Sequence, residues 1–319
     1  MKADISARQL CAVCFAALFA PGFMLCARMS WHWVLLAAAV AGLYYYIVSR
    51  LLCRGASLPR TGIWRGVLLL AVLALACLAG YGAKRSAGAF PETDGNVLAG
   101  LLVLALAVFA ARLGVQAVAR CGSLLFFFVA LIAGIILVFS APRVRPEWIA
   151  PWGGAEQGVL CLLLFLLPGA AVYLQPRVAV SNTRPGWWLL AFGLSAAGAA
   201  LVTSGGLSPA AAVQPDSFYV LSGGASLLGV AERFEALLSA AYLAGYFCAS
   251  ALLLCAARSL AQNALGEKKF PAHWAAAAVA AAATVVLPAS WLVPMLVVGG
   301  VFCGLFPLVL LWVGAAKKV

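Results

Sequence analysis

Leu18-Phe19-Ala20-Pro21-Gly22-Phe23-Met24 and Leu166-Leu167-Pro168-Gly169-Ala170-Ala171 decide how this chain is read. Each sets a Pro-Gly pair inside an apolar run long enough for a helix. Proline deletes a backbone donor and clashes with the turn before it, costing about 3 kcal/mol inside a helix, and glycine adds conformational freedom at the same spot. Most of the prolines lie in loops or at segment ends. Only Pro21, Pro168 and Pro307 sit well inside an apolar run, and Pro307, without a glycine partner, needs only a kink. Helices interrupted at corresponding places in two halves of a membrane chain point to a transporter-type binding site.

The composition places the chain in a bilayer. It has 319 residues, is 66% hydrophobic and 9% charged, and its mean hydropathy is +1.07; a soluble domain is about half apolar and a quarter charged. Runs of about twenty apolar residues recur along its length, each able to cross a hydrocarbon core of roughly 30 Å. Leu10–Ala27 follows a start carrying Lys2, Asp4 and Arg8 and reads as a retained helix, not a signal peptide.

Ten spans are expected, near Gln9–Arg28, Trp33–Leu52, Gly66–Gly82, Asn96–Ala111, Gly122–Ser140, Gly158–Gln175, Gly186–Thr203, Glu232–Leu260, His273–Pro288 and Trp291–Val313. The widest connection, Ser204–Ala231, reads as an outer loop with a short surface helix. With the N-terminus inside, of the 21 Lys and Arg residues only Arg28, Lys84, Arg85, Arg143, Arg145 and Arg233 fall in outer segments. That bias fits the positive-inside rule, with both termini cytoplasmic. Nine tryptophans, from Trp31 to Trp291, fall at span ends, where indole prefers the headgroup level. The net charge of +12 reads as orientation and contact with lipid headgroups. Nucleic-acid binding would need a soluble basic surface.

Five spans precede residue 141 and five follow residue 156, so the second half enters the membrane from the opposite side. The expected architecture is an all-α polytopic membrane protein with a 5+5 inverted repeat. Its first repeat is 1–140, its second 141–319, and its first and sixth helices are discontinuous. Free amides near Gly22 and Phe23 would suit a carboxylate, and free carbonyls near Leu167 and Pro168 an ammonium group. The candidate ligand-binding residues are Ala20, Pro21, Gly22, Phe23, Leu167, Pro168, Gly169 and Ala170, around a zwitterion of amino-acid size. The alternative is a plain Pro kink repaired by neighbouring helices.

Ile5-Ser6-Ala7-Arg8-Gln9-Leu10, followed by Ala20-Pro21-Gly22-Phe23, resembles the start of the GerAB family, the membrane B subunits of spore germinant receptors in the amino acid–polyamine–organocation superfamily. Phe90-Pro91-Glu92-Thr93, Gly114-Val115-Gln116-Ala117-Val118-Ala119-Arg120, Trp148-Ile149-Ala150-Pro151 and Glu232-Arg233-Phe234-Glu235-Ala236-Leu237 are similar to that family in order and spacing. The family usually has a second proline where Asp94 stands and an acidic residue where Gln116 stands. The resemblance implies a leucine-transporter-like fold of ten helices. It also implies a role in sensing small nutrients such as amino acids, beside an A-type membrane subunit and a C-type lipoprotein. The location would be the inner membrane of a bacterial spore or the cytoplasmic membrane.

Glu232, Arg233 and Glu235 form the only dense charge cluster at a helix start. Carboxylates there are favoured by the helix dipole, by roughly 0.3–1 kcal/mol each; the sharper reading makes them an outer gate or a subunit contact. No lysine or acidic residue lies deep in an expected span, which weighs against a proton relay. For sodium coupling the eighth span offers Ser239 and Ser250, thin support for an oxygen-ligand site. Cys11 and Cys14 have CxxC spacing but lie on an apolar helix, where buried cysteine acts as a small hydrophobe. His32 and His273 stand alone at span ends, and Tyr44-Tyr45-Tyr46 reads as helix packing. Gly300 and Gly304 form a GxxxG suited to close helix contact, within the bundle or in a dimer. No catalytic set, metal set or cofactor motif is recognised, so an enzyme is not expected. A permease of the same superfamily and a structural subunit with a vestigial site remain as alternatives.

Overall fold

Ser6 opens the first helix with a capping box. Its hydroxyl accepts from the Gln9 amide at 3.3 Å, and its own amide donates to Gln9 Oε1 at 3.1 Å. Two donors that a helix start leaves unpaired are thus satisfied reciprocally. Helix α1 then runs Ala7–Cys26. The computed structural model describes residues 5–53, 64–87, 97–149, 153–179, 187–207, 217–224, 234–265 and 272–316.

After α1 come α2 (Trp31–Cys53), α3 (Trp64–Ser86), α4 (Val97–Leu113), α5 (Val115–Ser140) and α6 (Ala155–Phe165). A 3-10 run, Leu167–Arg177, continues α6. There follow α7 (Trp187–Gly206), α8 (Ser217–Gly224), α9 (Phe234–Leu265), α10 (Ala272–Val286) and α11 (Leu292–Gly299). A π-helical turn, Gly300–Leu305, joins α11 to α12 (Phe306–Ala316). A two-residue parallel pairing, Ile5 with Val178 and Ser6 with Ala179, is the sheet content of the described residues.

The chain is an all-α multi-pass membrane protein. Among the described residues 8 helices are long and apolar enough to cross a bilayer, and Val97–Leu113 and His273–Val286 are shorter apolar helices at the fourth and ninth expected positions. Arg258 Nη1 donates to the carbonyls of Ala111 and Arg112 at 2.9 and 3.1 Å, closing the C-terminus of α4. Lys84 Nζ donates to the carbonyls of Val285 and Leu287 at the end of α10. Cations there satisfy terminal carbonyls and complement the helix dipole.

Packing inverts the pattern of a soluble bundle. On α4, Leu98, Leu102, Leu106, Phe109 and Leu113 repeat at helical spacing and are each about 60% exposed, while Gly100, Ala107, Ala110 and Ala111 are buried. Large side chains meet lipid and small ones meet protein. Hydrocarbon is as apolar as leucine, so helices associate through close van der Waals contact, which small residues permit. α3 and α9 form the most extensive interface, built largely from buried alanines. Gly300 and Gly304 face Leu163 and Leu166 of the α6 segment, which places the GxxxG pair inside the bundle.

Two expectations are corrected and a third is met. The first helix is not broken, because α1 continues through Pro21 to Cys26. Proline costs one ladder bond, but neighbouring helices pack that turn: Phe192 of α7 covers Gly22, and Gly245 of α9 lies against the backbone of Ala20. The expected surface helix in the long connection is present as α8 but faces inward, with Phe218 and Leu221 buried. The sixth helix does open as expected, at Leu166, two residues before Pro168 of its Pro-Gly pair.

A methyl group added at Gly169 would collide with the Cys303 carbonyl oxygen, a backbone atom, whereas one added at Gly42 or Gly134 meets nothing within 4 Å. Gly169→Ala is therefore expected to destabilise by about 2–3 kcal/mol through forced backbone shifts. Gly42→Ala and Gly134→Ala should stabilise by up to about 1 kcal/mol, because alanine is the better helix former. Thermal unfolding of the three variants in detergent checks this ordering.

Candidate functional site

The two Pro-Gly segments lie on helices that run antiparallel and in contact. Ile5 pairs with Val178 at one end, and Cys26 meets Cys161 at the other. Around the first segment the interior is aromatic. Phe23 stands edge-on to Phe218 at 5.2 Å and to Phe192 at 6.1 Å, with Phe19 at 4.5 Å between ring centroids. Phe192 also meets Phe165 edge-on at 5.7 Å. Such pairs add roughly 0.5–1.5 kcal/mol each beyond their burial. Ala20, Phe23, Phe165 and Ala170 are fully buried.

The structure thus puts Ala20, Pro21, Gly22 and Phe23 on one continuous helix and Leu167, Pro168, Gly169 and Ala170 on the 3-10 run. In α1 the amides of Gly22 and Phe23 fall within the helical ladder, so they are not the bare donors expected for a carboxylate. Leu167 packs against Gly299, and Gly169 sits on the Cys303 carbonyl of the π turn. Glu235 lies in the first turn of α9, close enough to Gly223 that a side-chain carbon there would lie 3.4 Å from its carboxyl carbon. Glu232 and Arg233 lie outside the described residues.

The opened backbone of α6 does expose carbonyls, but the protein supplies the donors. Tyr45 Oη donates to the carbonyls of Phe165 and Leu166 at 3.1 and 3.3 Å. Tyr44 Oη donates to the Gly304 carbonyl at 2.8 Å, and Tyr173 Oη to that of Phe302, both in the π turn. The Gly169 amide donates to the Leu166 carbonyl at 2.9 Å, as a 3-10 turn requires. Two of the three consecutive tyrosines therefore serve as hydrogen-bond partners for irregular backbone, while Tyr46 faces outward and accepts from Arg50 at 2.8 and 3.0 Å. The Tyr triplet is the sequence signal, but which carbonyls it serves depends on helices far along the chain.

Three hydroxyls form the polar feature that the sequence did not reveal. Ser140, Thr203 and Ser217 are buried with no hydrogen-bond partner for their side-chain oxygens. They come from the end of α5, the last turns of α7 and the start of α8, three elements in mutual contact. Ser217 adjoins Phe218, which meets Phe23 edge-on. Buried hydroxyls that lack a partner cost about 1–3 kcal/mol each and call for one. A separate cleft of about 330 Å³ opens near the other end of α1, lined by Arg8, Cys11, Ala12, Phe15, Phe126, Trp188 and Ala191.

Compared with protein-family models and with curated proteins, the chain matches none.

Tyr45→Phe removes the donor serving two buried carbonyls and is expected to cost about 1–3 kcal/mol, with Tyr44→Phe in the same range. Tyr46→Phe, at an exposed position, should stay within about 0.5 kcal/mol. Equal midpoints for all three in thermal unfolding would contradict the assignment.

Proposed function

We propose that this chain is a nutrient-sensing membrane subunit, similar to the B subunits of spore germinant receptors, that binds a small solute of amino-acid size beneath α8. The observation that carries the reading is α8 itself, a short helix whose buried Phe218 packs on Phe23 and whose neighbouring residue Ser217 has a buried, unpartnered hydroxyl, with the unpartnered hydroxyls of Thr203 and Ser140 on adjoining elements. Hydroxyls both donate and accept, so they suit either end of a zwitterion. Among the described residues no Asp, Glu, Lys or Arg is buried. A proton-coupled pump uses such groups within the membrane. That favours sensing over driven transport.

On this reading the leucine-transporter-like 5+5 arrangement is the working architecture, with the inner spore membrane or the cytoplasmic membrane as its site and A-type and C-type subunits as partners. The output is a population shift, which requires the solute to bind one conformation better than another; each tenfold preference contributes about 1.4 kcal/mol. The interruption of α6 at Leu166, inside the bundle, is the feature that favours the second reading, a permease of the same superfamily.

Spores lacking the gene are expected to lose germination with an amino acid, while vesicles holding the chain alone accumulate no labelled amino acid. Ser217→Ala and Thr203→Val should each raise the half-maximal nutrient concentration about five- to tenfold, by removing hydrogen bonds worth about 1–1.5 kcal/mol each. Uptake by the isolated chain would establish the permease instead, and an unshifted response in both variants would move the site elsewhere.

A further inference from the structure

We infer a soft monovalent metal site at the end of α1, formed by Cys26, Met29 and Cys161. Cys26 Sγ lies 3.9 Å from Cys161 Sγ, and Cys161 Sγ lies 3.1 Å from Met29 Sδ. Both cysteines are fully buried, and Met29 is 9% exposed. The scaffold around them is fastened at several points. The Met29 amide donates to the Cys26 carbonyl at 3.0 Å, the Ser30 amide to Gln157 Oε1 at 2.9 Å, and Trp33 Nε1 to the Gly153 carbonyl at 2.8 Å. Gln157 is one turn before Cys161 on α6, so the turn after α1 is held against α6 on the face that presents the sulfur.

Thiolate and thioether sulfur select ions such as Cu(I). With metal–sulfur bonds of about 2.3 Å, a trigonal centre holds its donors about 4 Å apart, which is the separation of the two thiols. Met29 completes the triangle by adjusting a side chain with three rotatable bonds. Zinc favours four nitrogen, sulfur or oxygen ligands. Among the described residues no group of three His, Cys, Asp or Glu side chains is available for any ion. Charge points the same way. One thiol gives up its proton as the sulfur–metal bond forms, and the thiolate cancels the single positive charge of the ion. The buried site stays neutral, as a low-dielectric surrounding demands. Once bound, the ion ties the end of α1 to α6.

The full-length chain, purified in detergent and kept reduced without oxygen, is titrated with Cu(I) against a chromogenic Cu(I) chelator. One Cu(I) per chain is expected. Its affinity should rise tenfold per pH unit, as release of one proton requires. Cys26→Ser and Cys161→Ser should each abolish this binding and Met29→Leu weaken it at least tenfold, whereas Cys77→Ser leaves it unchanged. A measurement independent of variants is alkylation mapped by mass spectrometry, in which Ag(I) should protect Cys26 and Cys161 of the unaltered chain together. Binding that survives either serine substitution overturns the proposal, as does Zn(II) binding as tightly as Cu(I). A Cys26–Cys161 disulfide in air, with no metal uptake by the reduced chain, would overturn it in favour of a redox pair.

Discussion

A peptide carbonyl in hydrocarbon has no water to turn to, and that constraint organises this molecule. Irregular backbone at membrane depth survives only where protein supplies the missing partners. Among the described residues two such stretches face each other, the 3-10 run after α6 and the π turn between α11 and α12. Tyrosine hydroxyls close both: Tyr45 serves Phe165 and Leu166, Tyr44 serves Gly304, and Tyr173 serves Phe302. Gly169 then lets the two irregular stretches approach to backbone contact at Cys303. Each departure from helical geometry is stabilised by the other's neighbours, so the pair forms one unit.

The rest of the bundle follows from what lipid cannot do. It gives no hydrophobic drive for helices to associate, so the interfaces rely on closeness. Alanine and glycine line the contacts of α3, α4 and α9, and leucine and phenylalanine point outward. The aromatic cluster around Phe19, Phe23, Phe165 and Phe192 is the exception, because there large rings fill the space between α1, α6 and α7. That cluster packs α1 over Pro21, and Phe218 of α8, next to the unpartnered Ser217, meets it at Phe23.

Much of this was legible in local pattern. The apolar runs marked all the long helices, since a span of about twenty apolar residues has few other uses. The break in α6 was legible because Pro168-Gly169 removes helix propensity on the spot. Pro21-Gly22 carries the same local penalty, yet α1 stays whole, because Phe192 and Gly245 override propensity from distant helices. The Ser6–Gln9 capping box lay in plain view as Ser-x-x-Gln, and it starts α1 two residues before the expected Gln9. The capping role of Tyr44 and Tyr45 and the sulfur contact of Cys26 with Cys161, 135 residues away, depend on which faces meet, and a one-dimensional pattern does not hold that information.

The claim on which this account rests is that the Tyr45 hydroxyl closes the opened turn of α6. Isotope-edited infrared spectroscopy of a single labelled carbonyl at Leu166 measures it directly. The account predicts a band at the frequency of a hydrogen-bonded carbonyl in the native chain, moving to higher frequency in Tyr45→Phe while a label at Leu104 in α4 stays put. An unchanged Leu166 band in that variant would contradict it.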